Sequence, residues 1–360
     1  MATASAPGRV NLLGEHTDYS GGLVLPAALD LAVTATASRR EDGVIALASD
    51  RFPGETLRFP ADSPPPPGSV RWANYALGVV AELWPRADLR GGFDLRIESA
   101  LPMGAGLGSS ASLAVACAKS LNGLFGCGLG PFQIALACRR AEQRYAGVAC
   151  GLMDQAAAAL LTPGEALFLD CRSLEWTRLP LPRLALAVVP SGVSHALAES
   201  GYNRRVKECA ELEARLGRPL GELSAARLPE LLPGLPAPLA RRLTHVLEEN
   251  ARVRSGVSFL ACGDLAAFGR LMRDSHASLR DLYEVSCPEL DALVERLGPL
   301  AYGAKMTGAG FGGSVVALLD PERLAALRAA LPAEGLFVME VPGSGAPAQD
   351  VRGDRWAGWP

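Results

Sequence analysis

The sequence predicts a two-domain α+β protein, and three observations point to that class. The chain has 360 residues, which is more than one hydrophobic core usually supports, so we expect two domains. Hydrophobic residues make up 49% of the chain and charged residues 20%, a balance that excludes disorder driven by charge repulsion. Predicted strands and helices follow one another without strict alternation, which favours α+β over a doubly wound α/β sheet.

Hydrophobic periodicity places the elements of the N-terminal half. Apolar residues at alternate positions, or in short apolar runs, predict strands at residues 31–35, 93–97 and 167–169. Apolar residues at helical spacing predict helices at residues 70–84, 109–125 and 132–146. Ser69 is expected to cap the first of these helices, and Gly126 is expected to end the second.

The C-terminal half is predicted to carry longer helices and three strands. We expect strands at residues 184–189, 315–319 and 336–341. We expect helices at residues 204–216, 238–254, 265–276, 289–297 and 321–330. Pro180 and Pro182 mark the change between the two halves, so we place the domains at residues 1–175 and 176–360.

The charge pattern argues against nucleic acid and membrane as partners. The net charge is -3, and the basic pairs Arg204–Arg205 and Arg241–Arg242 are too few to neutralise a phosphate backbone. The uncharged run at residues 99–118 contains a proline, glycines and serines, and this composition argues against a membrane span.

The N-terminal residues and the cysteines predict a cytoplasmic protein. Glu15, His16 and Asp18 stand where a signal peptide would still be apolar. The 8 cysteines include no C-x-x-C pair, and most of them lie in apolar stretches as small hydrophobic residues. Reduced thiols in a cytosol fit this pattern best.

A glycine-rich stretch between a predicted strand and a predicted helix is the strongest single motif. Residues 102–112 read PMGAGLGSSAS, with Gly104, Gly106 and Gly108 at alternate positions. The backbone N–H groups of such a turn, together with the start of the next helix, suit a phosphate group. The spacing fits neither the dinucleotide pattern nor a Walker A loop. A flexible strand-to-helix turn is the alternative interpretation.

A second glycine-rich stretch, residues 305–313, leads into a later predicted strand. By itself it indicates little, because glycine-rich hairpins are common. Together the two stretches indicate either a polyphosphate held from two sides or a tight joint between domains.

Residues 8–22 concentrate hydrogen-bonding side chains around an apolar segment, namely Arg9, Glu15, His16 and Asp18. Such a cluster can hold hydroxyl groups, and a surface turn with an ordinary ion pair is the alternative. A lone histidine is more often a structural hydrogen-bonding residue than a catalyst. No second histidine stands at metal-binding spacing.

Two carboxylates, Glu142 and Asp154, are the remaining candidates for site residues. In phosphoryl transfer one carboxylate can orient the acceptor hydroxyl or take its proton, while another holds Mg²⁺ against the phosphates. Asp154 could instead cap a helix, and Glu142 could pair with Arg139. Taken with the glycine-rich loop and Arg9, these residues indicate an ATP-dependent kinase that acts on a polyol or sugar.

The motifs resemble those of a known family. Residues 8–22, 102–112 and 305–313 are similar to the three signature motifs of the GHMP kinase superfamily, and the first resembles the galactokinase signature. Further galactokinase-like pieces, in family order, are residues 71–75, 151–155, 170–175 and 201–205. The resemblance therefore covers nearly the whole chain.

The resemblance implies a fold and a reaction. The N-terminal domain would be like the second domain of ribosomal protein S5, and the C-terminal domain would be ferredoxin-like. The active site would lie between them, and the last residues would pack back on the N-terminal domain. The implied reaction transfers the γ-phosphoryl group of ATP to the C1 hydroxyl of α-D-galactose, with Mg²⁺ as cofactor and a monomer as the working form.

The resemblance also implies a role for each matching residue. Asp154 would be the catalytic base, and Arg9 would favour its ionised form and stabilise the transferring charge. The sugar would be held by Glu15, His16, Asp18, Gly151 and Tyr202. ATP would be held by Trp72, Gly104, Ala105, Gly106, Leu107, Gly108, Ser109 and Ser110. Ser109 and Glu142 would lie near Mg²⁺.

Three alternatives stay open at this point. A kinase of the same superfamily acting on N-acetylgalactosamine or another pyranose is the nearest. A sensor of galactose and ATP would keep the fold without catalysis, but the intact Ser110–Ala111 and Asp154 favour an enzyme. A mevalonate or homoserine kinase would lack the cluster at residues 15–18. One departure is Gly108, which stands where galactokinases commonly have serine; we expect its effect to be modest.

Overall fold

The computed structural model describes residues 1–102, 104–193, 198–331, 335–343 and 351–352. The strands are β1 (Ala2–Leu13), β2 (Leu23–Arg39), β3 (Val44–Ser49), β4 (Thr56–Pro60), β5 (Gly92–Ser99), β6 (Glu165–Asp170), β7 (Trp176–Pro180), β8 (Leu184–Pro190), β9 (Gly303–Thr307), β10 (Ser314–Leu319), β11 (Phe337–Val341) and β12 (Val351–Arg352). The helices are α1 (Arg71–Leu83), α2 (Ser109–Phe125), α3 (Pro131–Ala141), α4 (Met153–Leu160), α5 (Ala198–Leu216), α6 (Leu228–Leu231), α7 (Ala237–Cys262), α8 (Leu265–Asp281), α9 (Pro288–Leu297) and α10 (Leu324–Ala330).

The chain divides into two compact units that do not follow one break in the sequence. The first unit comprises Met1–Arg9, Ala28–Met103 and Leu107–Thr162. The second comprises Val10–Ala27, Gly104–Gly106 and everything from Pro163 onward. The domain boundary between residues 175 and 176 stays a prediction. The suggestion that the last residues pack back on the first domain concerns residues 353–360, which lie outside the described part of the chain.

The first unit combines a mixed sheet with four helices. Residues 33–39 of β2 pair antiparallel with β5, β5 pairs parallel with β3, and β3 pairs antiparallel with β4. In β5, Phe93, Leu95 and Ile97 are buried while the residues between them are not, so the predicted half-buried strand is confirmed. Helices α1, α2, α3 and α4 pack against one another.

Of the two helix-end signals read from the sequence, the one that ends α2 is confirmed and the one that begins α1 is wrong. Gly126 ends α2 in the left-handed conformation, with φ 68°, as predicted. Ser69 does not cap α1, whose N-cap residue is Val70. Instead, the Asn74 amide closes the turn onto Gly68, where Oδ1 accepts from the backbone N–H at 2.8 Å and Nδ2 donates to the carbonyl at 3.0 Å.

The second unit contains a four-stranded antiparallel sheet in the order β11-β8-β10-β9. Strand β6 pairs with β7 and with residues 23–27 of β2, and β12 pairs with β7. The core of this unit gathers fully buried side chains of the sheet and helices, among them Ala187, Val315, Leu212 and Leu243. Within the described residues, no helix combines the length and the apolar character needed to cross a bilayer.

Helix α8 approaches strand β9 so closely that only glycine fits between them. A Cβ atom at Gly269 would overlap the carbonyl of Tyr302 and lie 2.8 Å from the backbone N of Gly303. We therefore expect Gly269→Ala to lower the free energy of unfolding by about 1–3 kcal/mol in urea denaturation, because overpacking outweighs the gain in helix propensity.

Gly123→Ala is the matched control for this prediction. Gly123 is an exposed glycine in α2, and a Cβ there would meet Ala2 Cβ at an ordinary 3.8 Å. It should be neutral or stabilise the chain by about 0.5–1 kcal/mol. Equal effects of the two substitutions would contradict the close approach.

Candidate active site

Arg9 and Asp154 form a two-point ion pair in the first unit. Arg9 Nε donates to Asp154 Oδ1 at 2.7 Å, and Arg9 Nη2 donates to Oδ2. The Arg9 side chain is only 6% exposed, whereas that of Asp154 is 26% exposed. A guanidinium that binds both oxygens fixes the plane of the carboxylate. Asp154 is therefore held rigidly and still reaches solvent, as a group that meets a ligand must.

A glycine beside the Arg9 side chain makes room for this pair. The backbone N–H of Arg9 donates to Leu107 O at 2.9 Å, which ties the strand to the start of α2. Gly108 has φ 73°, and a Cβ there would lie 3.2 Å from Arg9 Cγ. Glycine thus suits position 108, because any other side chain would be strained in that conformation and would crowd the Arg9 side chain.

Asp154 is not a helix cap, which was the alternative interpretation. Helix α4 begins at Met153, and its N-cap residue is Leu152, which makes no side-chain capping hydrogen bond. Asp154 lies one residue inside the helix, where the partial positive charge of the N-terminus favours a carboxylate. Its partner is Arg9, and its position is therefore set by that ion pair and by the helix.

Glu142 lies beside this pair and is buried, with 5% of its surface exposed. Gln155 Nε2 donates to its Oε2 at 2.7 Å, and Ser110 Oγ donates to its Oε1 at 3.3 Å. These partners take the place of Arg139, the alternative suggested by the sequence. Burial, followed by the negative charge of Asp154, raises the pKa of Glu142 to about 7.

The raised pKa of Glu142 predicts a specific dependence of stability on pH. Folding raises the pKa from 4.5 to about 7, so the folded chain holds this proton more tightly than the unfolded chain. The stability contributed by the protonated carboxyl is fully present below about pH 4.5 and is lost as the pH rises through about 7. Relative to Glu142→Gln, the wild-type chain should lose up to about 3 kcal/mol between pH 5 and pH 8.

Urea unfolding of both chains across this pH range measures the difference. Subtracting the two curves cancels the titration of the buried histidines. Glu98→Gln, at a surface carboxylate with 54% of its side chain exposed, is the control. Its free energy of unfolding should change with pH in parallel with that of wild type. If the curve for Glu142→Gln also ran parallel to that of wild type, the raised pKa of Glu142 would be contradicted.

The predicted phosphate loop has the backbone conformation that the glycines suggested. Gly104, Gly106 and Gly108 have φ 71°, 72° and 73°, the left-handed region that glycine adopts without strain. Gly108 is the N-cap residue of α2, and no described side chain caps that helix start. The first N–H groups of α2, at Ser109 and Ser110, are therefore suited to an anion.

The second glycine-rich stretch meets the glycines at 104–106 inside the second unit. Ser314 Oγ donates to the carbonyl of Ala105 at 2.8 Å. A Cβ at Gly308 would lie 3.0 Å from the carbonyl oxygen of Gly106. The close approach of two backbones explains why glycine stands at position 308, where φ is 90°.

Glu15 and Lys305 form a fully buried ion pair in the second unit. Their side chains are 1% and 0% exposed, and Lys305 Nζ contacts Glu15 Oε2. Lys305 Nζ also donates to the carbonyl of Met306 at 3.0 Å. A lone charge buried to this extent would be costly, so the ammonium holds Glu15 as an oriented carboxylate.

His16 is buried among aromatic rings. Its Nδ1 lies 2.9 Å from the Tyr19 hydroxyl, and its Nε2 lies 3.1 Å from the carbonyl of Ala309. The ring of Tyr202 lies 5.6 Å from that of His16 and 5.3 Å from that of Tyr19. Burial lowers the pKa of His16 to about 3, so the imidazole is neutral at physiological pH.

The other predicted residues take the following places. Asp18 is half-buried and begins a short 3₁₀ turn in the second unit. Gly151 is buried in the first unit, just before α4. Trp72 stacks on Phe52 in the first unit, with ring centroids 5.6 Å apart at 8°, and its buried Nε1 has no hydrogen-bond partner among the described residues.

The structure thus brings the predicted residues into two groups. Arg9, Asp154, Glu142 and Ser110 are together in the first unit. Glu15, His16 and Tyr202 are in the second unit.

Sequence reasoning missed the residues that support the second group. Glu249 of α7 is fully buried, accepts from Gly14 N and Ser275 Oγ at 2.8 Å each, and pairs with Arg252. The charge of Arg252 and other neighbouring groups outweighs burial and lowers the pKa of Glu249 to about 2. His245 of the same helix approaches the carbonyl of Glu15 at 3.2 Å. A lysine in an apolar glycine-rich stretch was a usable signal for Lys305, but these α7 residues stand in an ordinary amphipathic helix.

Comparison with known proteins decides which family this geometry belongs to. The galactokinase galactose-binding signature matches residues 2–39, the GHMP kinase N-terminal domain matches residues 74–161, and the GHMP kinase C-terminal domain matches residues 257–335. A galactokinase from Bos taurus is 46% identical over 329 residues, which cover 88% of this chain and 83% of that one. The chain belongs to the galactokinase family.

Solved structures agree with membership of the galactokinase family. The crystal structure of Lactococcus lactis galactokinase complexed with galactose superposes with a TM-score of 0.88 at 33% identity, covering 97% of this chain and 95% of that chain. Methanococcus jannaschii mevalonate kinase has a TM-score of 0.70 at 20% identity, covering 94% of this chain and 96% of that chain, and this likeness concerns the fold alone. The predicted α+β GHMP kinase fold is confirmed.

Proposed function

We infer that the chain is an ATP-dependent sugar kinase that transfers the γ-phosphoryl group of ATP to the C1 hydroxyl of α-D-galactose, yielding galactose 1-phosphate and ADP. Identity of 46% to a galactokinase over most of the chain supports this activity. The observation that carries the mechanism is the two-point ion pair of Arg9 with a solvent-reaching Asp154.

Asp154 is proposed as the base and Arg9 as the cation that holds it. Both Asp154 oxygens accept from Arg9, which orients the carboxylate, and the carboxylate is proposed to take the hydroxyl proton only as the hydroxyl acidifies during transfer. A weak base is enough, because positioning and charge stabilisation supply most of the acceleration in phosphoryl transfer. The guanidinium of Arg9 also offers positive charge close to the transferring group.

The glycine loop is proposed to hold the phosphates of ATP. Backbone N–H groups from Gly104 to Ser110 suit the phosphate oxygens: the three glycines are left-handed, and no described side chain caps the start of α2. Trp72 is proposed to lie by the adenine, with its stacked ring and its buried Nε1 available to a base.

Ser109, Ser110 and Glu142 fit a magnesium ion. Mg²⁺ prefers hard oxygen ligands, and here the Ser110 hydroxyl donates to the Glu142 carboxyl, with Ser109 next to Ser110 in the sequence. The raised pKa of Glu142 reports a buried carboxyl without a full countercharge, which a cation would supply. When bound, Mg²⁺ would neutralise charge on the β- and γ-phosphates, while Gln155 keeps Glu142 oriented through its 2.7 Å hydrogen bond.

Glu15, His16, Asp18, Gly151 and Tyr202 are proposed to hold the sugar. The carboxylate of Glu15, fixed by Lys305, would accept from one hydroxyl, and Asp18 would accept from another. A site built to pair specific hydroxyls rejects epimers that leave a buried group unpaired. We therefore expect glucose to be a poor substrate.

We also propose that the chain works as a cytoplasmic monomer. The described cysteines form no disulfide, as expected in a reducing compartment. Among described residues the exposed large hydrophobic side chains are Met1 and Phe52, which do not amount to an apolar docking face.

Incubation with MgATP and a panel of hexoses tests the function. Galactose should yield galactose 1-phosphate, identified by the carbon that carries phosphorus in NMR spectra, with far slower turnover of glucose. Preference for N-acetylgalactosamine would assign a different sugar kinase. No ADP release with any hexose would contradict the activity.

A further inference from the structure

Three side chains of the second unit, Tyr19, Tyr283 and Cys209, form a continuous hydrogen-bond relay that ends at His16. The Cys209 Sγ lies 3.2 Å from the Tyr283 hydroxyl, which lies 2.8 Å from the Tyr19 hydroxyl. The Tyr19 hydroxyl lies 2.9 Å from His16 Nδ1. Cys209 and Tyr283 are 2% and 0% exposed. The chain of contacts therefore runs from a buried thiol to an imidazole that the family resemblance places at the sugar.

The contact between His16 and Ala309, at one end of the relay, determines which atom donates in each of the other hydrogen bonds. His16 Nε2 faces the carbonyl of Ala309 at 3.1 Å, and a carbonyl can only accept, so Nε2 carries the proton. The imidazole is neutral, since burial lowers the pKa of His16 to about 3, and Nδ1 is therefore bare and accepts from Tyr19. Tyr19 has then used its only hydrogen.

The same reasoning continues along the chain. Because the hydrogen of Tyr19 is directed to His16, Tyr283 must donate to Tyr19. Tyr283 has then used its own hydrogen, so the Cys209 thiol donates to the Tyr283 oxygen. Burial raises the pKa of Cys209 to about 12, which keeps this thiol protonated. One arrangement of protons satisfies all four contacts.

Two buried arginines hold Tyr283 in place. Arg205 Nε donates to the carbonyl of Tyr283 at 2.7 Å, and Arg242 Nη1 donates to the carbonyl of Leu282. Both guanidinium groups also pair with Glu208, at 2.7 and 2.8 Å. These contacts give Arg205 and Arg242 a structural role, and they fix the backbone at Tyr283.

His16 itself adopts a conformation that needs such support. Its φ is 62°, a region that is costly for a residue with a side chain and persists only where surroundings impose it. Both ring nitrogens are engaged, and the Tyr283 ring packs on His16 at 5.0 Å. The imidazole thus has one orientation and one tautomer.

We propose that Tyr19, Tyr283 and Cys209 are positioning residues that, together with the Ala309 carbonyl, lock His16 in the neutral Nε2–H tautomer, so that His16 offers the sugar a hydrogen-bond donor and never a base or an acceptor. The part concerning the sugar rests on the proposed function. The lock itself does not, because it depends only on contacts within the second unit. A galactose hydroxyl at His16 consequently accepts a hydrogen bond from Nε2–H, which Ala309 O shares.

Imidazole NMR of the ¹⁵N-labelled full chain tests the lock without any substrate. His16 is assigned by loss of its signals in His16→Gln. Wild type should show a protonated Nε2 and a bare, hydrogen-bonded Nδ1. In Tyr19→Phe the Nδ1 signal should move to the position of a nitrogen without a donor, while Nε2 keeps its proton because it still faces the Ala309 carbonyl. A wild-type Nδ1–H tautomer or a mixture would overturn the proposal.

Kinetics of the same variants test the positioning role. Tyr19→Phe should raise the KM for galactose about 3- to 10-fold, the worth of one hydrogen bond, with the KM for ATP unchanged. Tyr283→Phe should have a smaller effect, since Tyr19 can still donate, and Cys209→Ser should resemble wild type because its hydroxyl can donate. Tyr302→Phe, at a tyrosine that donates to Asp320 outside the relay, is the matched control.

The two kinds of measurement separate the two claims. A locked His16 in a chain that phosphorylates no hexose would leave the relay standing and remove the proposed function. Galactose phosphorylation with an unlocked His16, or an unchanged KM for galactose in Tyr19→Phe, would reject the relay and leave the proposed function standing.

Discussion

Asp154→Asn is expected to abolish nearly all turnover while leaving a folded chain that binds ATP. Loss of a general base typically costs about 10²–10⁴-fold in rate. The amide is the same size as the carboxylate, but its NH₂ group cannot accept from Arg9, so one of the two hydrogen bonds that orient the group is also lost. The ATP contacts proposed for the glycine loop do not use this side chain.

A coupled assay of ADP release, with galactose and MgATP saturating, measures this effect. ATP affinity measured by calorimetry should stay close to wild type. Asp281→Asn is the control, because Asp281 is a surface carboxylate with 58% of its side chain exposed, paired with Arg280. Turnover of Asp154→Asn within a few-fold of wild type would reject Asp154 as the base.

Lys305→Met is expected to cause the largest loss of stability. It leaves the Glu15 carboxylate, 1% exposed, without the ammonium that it contacts. Breaking a buried ion pair from one side typically costs about 3–5 kcal/mol, because the remaining charge is neither solvated nor compensated. Methionine closely matches the lysine stem in volume, so loss of packing contributes little.

A second substitution separates the charge from the packing. In the double variant Glu15→Gln, Lys305→Met the buried ion pair is removed from both sides, so most of the lost free energy of unfolding should return although the proposed sugar site is altered. Lys207→Met, at an exposed lysine, should change stability by no more than about 0.5 kcal/mol. Urea unfolding at neutral pH provides all three values. A single variant as stable as wild type would show that Glu15 does not depend on Lys305.

Local sequence signals predicted much of the fold. Helix α2 begins at Ser109 and ends before Gly126 as expected, because helical periodicity and a C-terminal glycine are encoded within one stretch of chain. Strand β1 was not predicted, because Arg9 and Asn11 interrupt its apolar residues. Those polar residues are buried through contacts with distant parts of the chain, as when Asn11 N donates to Thr307 Oγ1. Periodicity within one segment does not contain such information.

In the candidate site, too, residues marked by local sequence signals could be predicted, and residues that act through distant partners could not. The glycine loop and the carboxylates at 142 and 154 could be predicted, since the residue types themselves suggest phosphate and proton chemistry. The predicted helix at residues 132–146 instead ends as α3 followed by a π-helical turn, Glu142–Ala146, which begins at the buried carboxylate. Tyr283 and Cys209 could not be predicted, because each acts through partners that are far away in sequence.

The interleaved path of the chain limits how relatives of this protein can be recombined. Residues Val10–Ala27 belong to the second unit although the residues on both sides of them belong to the first. Within that segment, Gly14 and Leu23 donate their backbone N–H groups to Glu249 and Asn250. A chimaera joined at Thr162 would therefore match one parent's N-terminal segment with the other parent's α7, and functional hybrids should need residues 10–27 exchanged along with everything after the junction.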